Sequence, residues 1–333
     1  YDGAPFTGSI TLNTSQMVLE GPGTIAYAAV SISDPSYNLT AFISNSASCI
    51  WDRVQIALTV EDNHIDVSTP AEILTHATYE YDRTNFVGFI GLNDTSTKNE
   101  VGLYAYMVSN ITDNLYGLST FSANTVEVIF DTVVIDLSIL DARIDVGTSP
   151  AVFWSARYAY DQANLQGSIV LNETARPYNS VGMHSYTTRS VQDQAHGLKS
   201  FQSNTVSCIF DRVNIQLSAP ERVDLGTAVE IKPTAQYQYD GQPFGGQVIL
   251  NDTATRFHNP CRRAYTTAAV WDPLYGLTSF SSNQLAVIFD LVQVKLIVED
   301  QRIDVGSTAN ITSRANYSYD GTLFAGSIIL NDT

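Results

Sequence analysis

Five asparagines head the same short sequence: Asn13-Thr-Ser, Asn93-Asp-Thr, Asn172-Glu-Thr, Asn251-Asp-Thr and Asn331-Asp-Thr. Asn-x-Ser/Thr is the acceptor for an N-linked glycan, so the chemistry on offer is attachment of sugar to a side-chain amide on a secreted surface. Each asparagine follows a leucine, and neighbouring side chains on a strand point to opposite faces, so a core-facing leucine sends the asparagine to solvent. The alternative is a polar strand end whose threonine supports a turn. Further sequons at Asn38, Asn110, Asn310 and Asn316 share no common place, as expected by chance in a chain rich in Asn, Ser and Thr.

Carboxylates recur with the same regularity: Asp131 with Asp145, Asp211 with Asp224, Asp290 with Asp304. Calcium takes about six to eight oxygen ligands, so converging carboxylates are candidates to bind it. Arg143, Arg222 and Arg302 lie two residues before an aspartate, which offers a plain ion pair instead. No other cofactor is expected. Cys49 and Cys208 occupy the place of Val128 and Val287 and read as small buried apolar residues, whereas Cys261 stands where Gly102 and Gly182 do. Three cysteines cannot all pair within the chain, and a Cys208–Cys261 bridge is the alternative to free thiols. The histidines, at 64, 76, 184, 196 and 258, do not recur in register, and no nucleophile elbow, phosphate loop or zinc spacing appears. No catalytic residue is expected, and the chain is not expected to be an enzyme.

What positions these residues is a repeat. Tyr239-Asp-Gly-Gln-Pro-Phe-Gly-Gly-Gln-Val-Ile-Leu-Asn-Asp-Thr253 has counterparts beginning at Tyr1, Tyr81, Tyr160 and Tyr319, a spacing of about 80 residues. Within it Val248 and Leu250 alternate with Gln247, Ile249 and Asn251, the period of a strand with one buried face. Tyr237 and Tyr239, two apart, are expected to share a face, as are Tyr79 and Tyr81, Tyr158 and Tyr160, and Tyr317 and Tyr319. Recurrent aromatics of this kind pack a core or its rim; a sugar-binding stripe is the other use. Asn45, Asn124, Asn204 and Asn283 precede a strand in each copy and read as turn formers.

The side-chain phase then slips. Val126, Val128 and Phe130 share one face, but Val133, Ile135 and Leu137 are offset from them by an odd number of residues, which hands the chain from one core to another. This divides the chain into a partial module at 1–51, modules at 52–130, 131–210 and 211–289, and a partial module at 290–333. The absence of Gly/Ser-rich or Pro-rich linkers implies short, stiff joints. The expected fold is all-β: a tandem array of immunoglobulin-like antiparallel β-sandwich modules of about 80 residues, forming a rod extending on the order of 140 Å. Because the sequence opens and closes inside a repeat, it reads as a window from a longer or processed chain.

Composition limits the partners. Lys and Arg total 17 against 34 Asp and Glu, a net charge of -17, with no basic patch for nucleic acid or an anionic membrane. No run approaches the ~20 apolar residues of a membrane span. The motifs Ile-Phe-Asp-x-Val, Arg-Ile-Asp-Val-Gly, Tyr-x-Tyr-Asp-Gly and Leu-Asn-Asp-Thr cover the whole chain. In them it resembles the tandem immunoglobulin-like repeats of prokaryotic, particularly archaeal, cell-surface and filament proteins. The resemblance implies secretion to the cell surface and a structural role in a glycosylated filament or stalk. The chain's partners would then be covalent glycans and itself, by head-to-tail or lateral association. The alternative is an adhesin whose modules bind a carbohydrate or protein ligand.

Overall fold

The computed structural model describes Gly3, residues 5–15 and residues 18–330, and all regular secondary structure there is strand. Alternation explains why. In Val54–Val60 the side chains of Val54, Ile56 and Leu58 are at most 3% exposed, while Gln55, Ala57 and Thr59 face solvent. Burying each such side chain stabilises by roughly 1.5–3 kcal/mol, which fixes the face the strand presents.

Val54–Val60 pairs antiparallel with Ile73–Tyr79 and parallel with Phe121–Ala123. Facing them, Val126–Asp131 pairs antiparallel with Gly102–Tyr106 and parallel with His64–Asp66, and Gly88–Leu92 pairs with Val108–Asp113. Val54, Ile56, Leu58, Tyr79 and Val108 fill one part of the space between, and Tyr106, Val128 and Phe130 the other. The next two repeats use the same strand orders, Val133–Ile139 and Val213–Ser218 taking the place of Val54–Val60. The fold is therefore a tandem series of immunoglobulin-like β-sandwich modules.

By compactness the chain divides into two units. One comprises Tyr1–Ile135, Ala156–Val170 and Arg189–Ser203; the other comprises Asp136–Ser155, Leu171–Thr188 and Asn204–Thr333. The division falls within the repeat read as 131–210. In the first unit the strands Ser9–Leu12, Gly23–Ser33 and Ser46–Trp51 make a further sheet; in the second, Val292–Val298 and Ile311–Tyr317 make a hairpin.

At each slip of phase an aspartate holds the crossing. Asp131, fully buried, accepts the N–H of Thr132 at 2.8 Å and of Tyr160 at 2.9 Å through Oδ1. Asp52, Asp211 and Asp290 make the same two bonds, to Arg53 and Tyr81, Arg212 and Tyr239, and Leu291 and Tyr319.

Two expectations are corrected. The tyrosines of Tyr-x-Tyr do not share a face: Tyr79 is 1% exposed and Tyr81 43%. The reason is that the strand ends on the first tyrosine, whose carbonyl closes a turn with Arg83 N–H, as Tyr237 does with Gly241. Residues 83, 162, 241 and 321 in that turn all have positive φ, the region glycine occupies without strain. Asn124, Asn204 and Asn283 do more than form a turn. Each amide donates to and accepts from the backbone of Leu58, Leu137 or Leu217, continuing the parallel ladder with a side chain.

Candidate functional site at the module joints

The residues brought together most consistently are those of His64-Ile-Asp66, Arg143-Ile-Asp145 and Arg222-Val-Asp224 with the segment that follows the next phase slip. These short strands run parallel beside the last strand of their own module, which carries their side chains to its end.

Within the second unit, Arg143 is 6% exposed. Its Nη2 donates to Asp240 in the next repeat at 2.5 Å, its Nη1 lies 3.3 Å from Asp211 Oδ2, and its guanidinium sits 4.9 Å and 4.6 Å from the Tyr237 and Tyr275 ring centres. Burial opposes the guanidinium charge, but Asp240 and Asp211 outweigh it and hold Arg143 above its ordinary pKa. The Arg143 bond pulls Asp240 below the usual carboxylate range, whereas burial pushes Asp211 upward against its N–H donors and Arg143. The arrangement recurs: Arg222 bonds Asp290 and Asp320, each at 2.5 Å, and lies 4.3 Å from the Tyr317 ring centre.

Within the first unit the same place is taken by His64, also buried. Its Nε2 lies 3.0 Å from Asp131 Oδ2, and its ring stacks on His196 at 3.9 Å between centroids. His196 stands where the next repeat has Tyr275, so both members of an Arg–Tyr pair are histidine here.

The aspartate two residues on reaches further. Asp66 accepts the N–H groups of Lys199 at 2.9 Å and Ser200 at 2.8 Å. Asp145 does the same to Thr278 and Ser279, and takes the Thr278 hydroxyl at 2.6 Å. A carboxylate spanning two successive backbone N–H groups is a strong, charge-assisted contact. The receiving segment is anchored beneath by Tyr158 and Tyr237. Their hydroxyls donate to Asp193 at 2.7 Å and Asp272 at 2.9 Å, and those carboxylates also accept the N–H of Leu198 and Leu277.

This differs from the expected ion pair between each arginine and the aspartate two residues on. Arg143 and Asp145 serve different partners, Asp240 and Asp211 for the one and Thr278 and Ser279 for the other. Nor do the calcium candidates converge. Asp131, Asp145, Asp211 and Asp290 are taken up by N–H donors and cations as above, Asp224 and Asp304 are exposed, and no group of three or more His, Cys, Asp or Glu suited to a metal occurs among the described residues.

The sequon asparagines Asn13, Asn93, Asn172 and Asn251 are exposed, and Asn331 lies outside the described residues. Each amide is also engaged: Asn93 accepts from Met107 N–H at 3.0 Å and donates to the Ala105 carbonyl at 3.1 Å, and Asn13, Asn172 and Asn251 bond likewise. One Nδ2 hydrogen is used and one is left. Asn38, Asn110, Asn310 and Asn316 are exposed as well.

The Cys208–Cys261 bridge is not formed. Cys208 is buried with Tyr186 and Phe210, and Cys261 packs in a separate cluster against Tyr265 and Phe289. Burial raises the Cys208 thiol to about 11. Sequence reasoning also missed a latch on the loops after the sequons at Asn93, Asn172 and Asn251. A loop side chain meets a strand side chain as Lys98 over Tyr104, Tyr178 stacked on His184, and Phe257 under Arg263. The partners change sides, so a single column shows only drift.

No family profile and no curated protein matches the chain. Among solved structures, one described as invasin, a bacterial integrin-binding protein, aligns over 84% of this chain and 68% of its own, with 10% identity and a TM-score of 0.26. No helix among the described residues is long and apolar enough to cross a membrane.

Proposed function

We propose that the chain is a structural segment of an extracellular surface filament or stalk. The observation that supports this reading is the reach of Asp66 and Asp145 into the following repeat, where each takes two successive backbone N–H groups. Joints tied by buried ion pairs and backbone clamps resist bending, which is what a load-bearing array needs and an enzyme does not. Glycans on the exposed asparagines at 93, 172 and 251 would add to the -17 charge in keeping neighbouring fibres apart. Attachment through the remaining Nδ2 hydrogen is compatible with the bonds those amides make. The array would associate with itself, head to tail or laterally.

An adhesin is the second reading, favoured by Phe153 and Trp154, 55% and 44% exposed on the edge strand Val152–Tyr158. The matching residues are Leu74-Thr75 and Lys232-Pro233, so this exposed aromatic pair is peculiar to one repeat.

Replacing Asp66 and Asp145 by alanine in the native protein tests the structural reading. Fibres with a shorter persistence length by electron microscopy, still bearing glycopeptides at Asn93, Asn172 and Asn251, are the expected result. Unaltered stiffness would sink the load-bearing role.

A further inference from the structure

The joints at Arg143 and Arg222 are built on an arginine, whose charge does not change at any physiological pH. The joint at His64 is built on stacked imidazoles, the one side chain that changes charge between pH 5 and 8 without special tuning. From this contrast we infer that the joint formed by His64, His196 and Asp131 is a proton-operated hinge: closed when the histidine pair carries at most one positive charge, and opened when protonation makes both rings cationic.

The geometry sets the order of events. His64 Nε2 faces Asp131 Oδ2 at 3.0 Å, and Asp131 has no exposed surface. A positive charge on His64 alone turns this hydrogen bond into an ion pair, and the contact persists. A second positive charge must fall on His196, whose ring centre is 3.9 Å from that of His64. Two like charges at that separation in a half-buried place repel strongly, and stacking, which suits neutral rings, is lost.

The groups nearby already hold partners of their own in the closed joint. Tyr158, 5.9 Å from His64 and 5.1 Å from His196, is neutral and its hydroxyl is committed to Asp193. Asp193 also accepts the His196 backbone N–H, and Asp62 that of His64. Asp66 is committed to the N–H groups of Lys199 and Ser200; Lys199, Glu61 and Glu72 line the neighbouring groove. Separating the rings moves His196 away, and the N–H groups of Lys199 and Ser200, three and four residues beyond it, leave Asp66.

The second joint is a built-in control. Asp145 clamps Thr278 and Ser279 with the same geometry, but beside Arg143 and Tyr275. Any acid effect on the clamping carboxylate itself appears at both joints; the histidine effect appears at one.

The test is amide hydrogen exchange on the full chain, expressed as protection relative to the intrinsic rate at each pH. Between pH 7.5 and 5, protection at Lys199 and Ser200 is expected to fall at least about tenfold more than at Thr278 and Ser279. His196→Tyr removes the second imidazole, and His64→Arg with His196→Tyr rebuilds the chemistry of the second joint; both are expected to abolish the difference. Equal responses at the two joints in the native chain, or a difference that survives both variants, would overturn the inference. Because the readout is local protection rather than fibre formation, the filament reading can fail while this one holds.

Discussion

The joints centred on His64 and on Arg143 have one backbone design and two side-chain solutions. Both carry their residue on a short parallel strand beside a buried aspartate, and both place a second aspartate on two N–H groups of the next repeat. Arg143 holds its neighbour through a permanent charge shared between Asp211 and Asp240 and two tyrosine rings. His64 does so through one hydrogen bond and one stacked ring. The shared backbone sets where the modules meet; the side chains set how firmly, and under what conditions.

The largest break in this comparison should come from the two buried aspartates. Asp211→Ala strips Arg143 of one partner and orphans the N–H of Arg212 and Tyr239, an expected loss of about 3–5 kcal/mol. Asp131→Ala removes only a partner of a histidine along with the matching N–H bonds, an expected loss of about 1–3 kcal/mol. Chemical denaturation at pH 7.5 ranks them, and equal costs would mean the arginine charge adds nothing.

Alkaline titration should act on the buried tyrosine anchors, among them Tyr158 beneath the His64 joint. Burial, reinforced by Asp113 and Asp193, raises the Tyr79 and Tyr158 hydroxyls to about 12. With folded values above the unfolded one, their contribution is complete below about pH 10 and is lost as the pH rises through about 12. Phenylalanine at both positions should flatten that part of the stability profile. At acid pH the sign reverses for Asp240, whose value lies below normal because of Arg143; its contribution is present above the ordinary carboxylate range and fades as the pH falls below it.

The smallest difference is in the residue that closes each motif. Ser68 has φ of 65° where Gly147 has 81° and Gly226 75°. Ser68→Gly should stabilise by a few tenths to about 1 kcal/mol, and Gly147→Ser should destabilise by a similar amount. Opposite signs in thermal melts would confirm that the two loops share a backbone.

How much of this could be read from residues alone follows the range of the interactions. Strands such as Val54–Val60 and the slip between Phe130 and Val133 are local patterns, and the structure has them where the alternation puts them. The role of Asp145 was hidden because its partners, Thr278 and Ser279, lie in the next repeat, far along the chain; nearness to Arg143 suggested the wrong pairing. His64 and His196 escaped notice because a register comparison looks for histidine opposite histidine, whereas here histidine stands opposite arginine in one column and tyrosine in another. Tyr81 was placed on the wrong face because alternation holds only while the strand lasts, and it ends at Tyr79.

The central claim is that Arg143 couples its own repeat to the next through Asp240. A double-mutant cycle of Arg143→Ala and Asp240→Ala, read by denaturant unfolding of the full chain, measures that coupling directly. A coupling energy on the order of 1–3 kcal/mol is predicted; strictly additive single-mutant costs would contradict it.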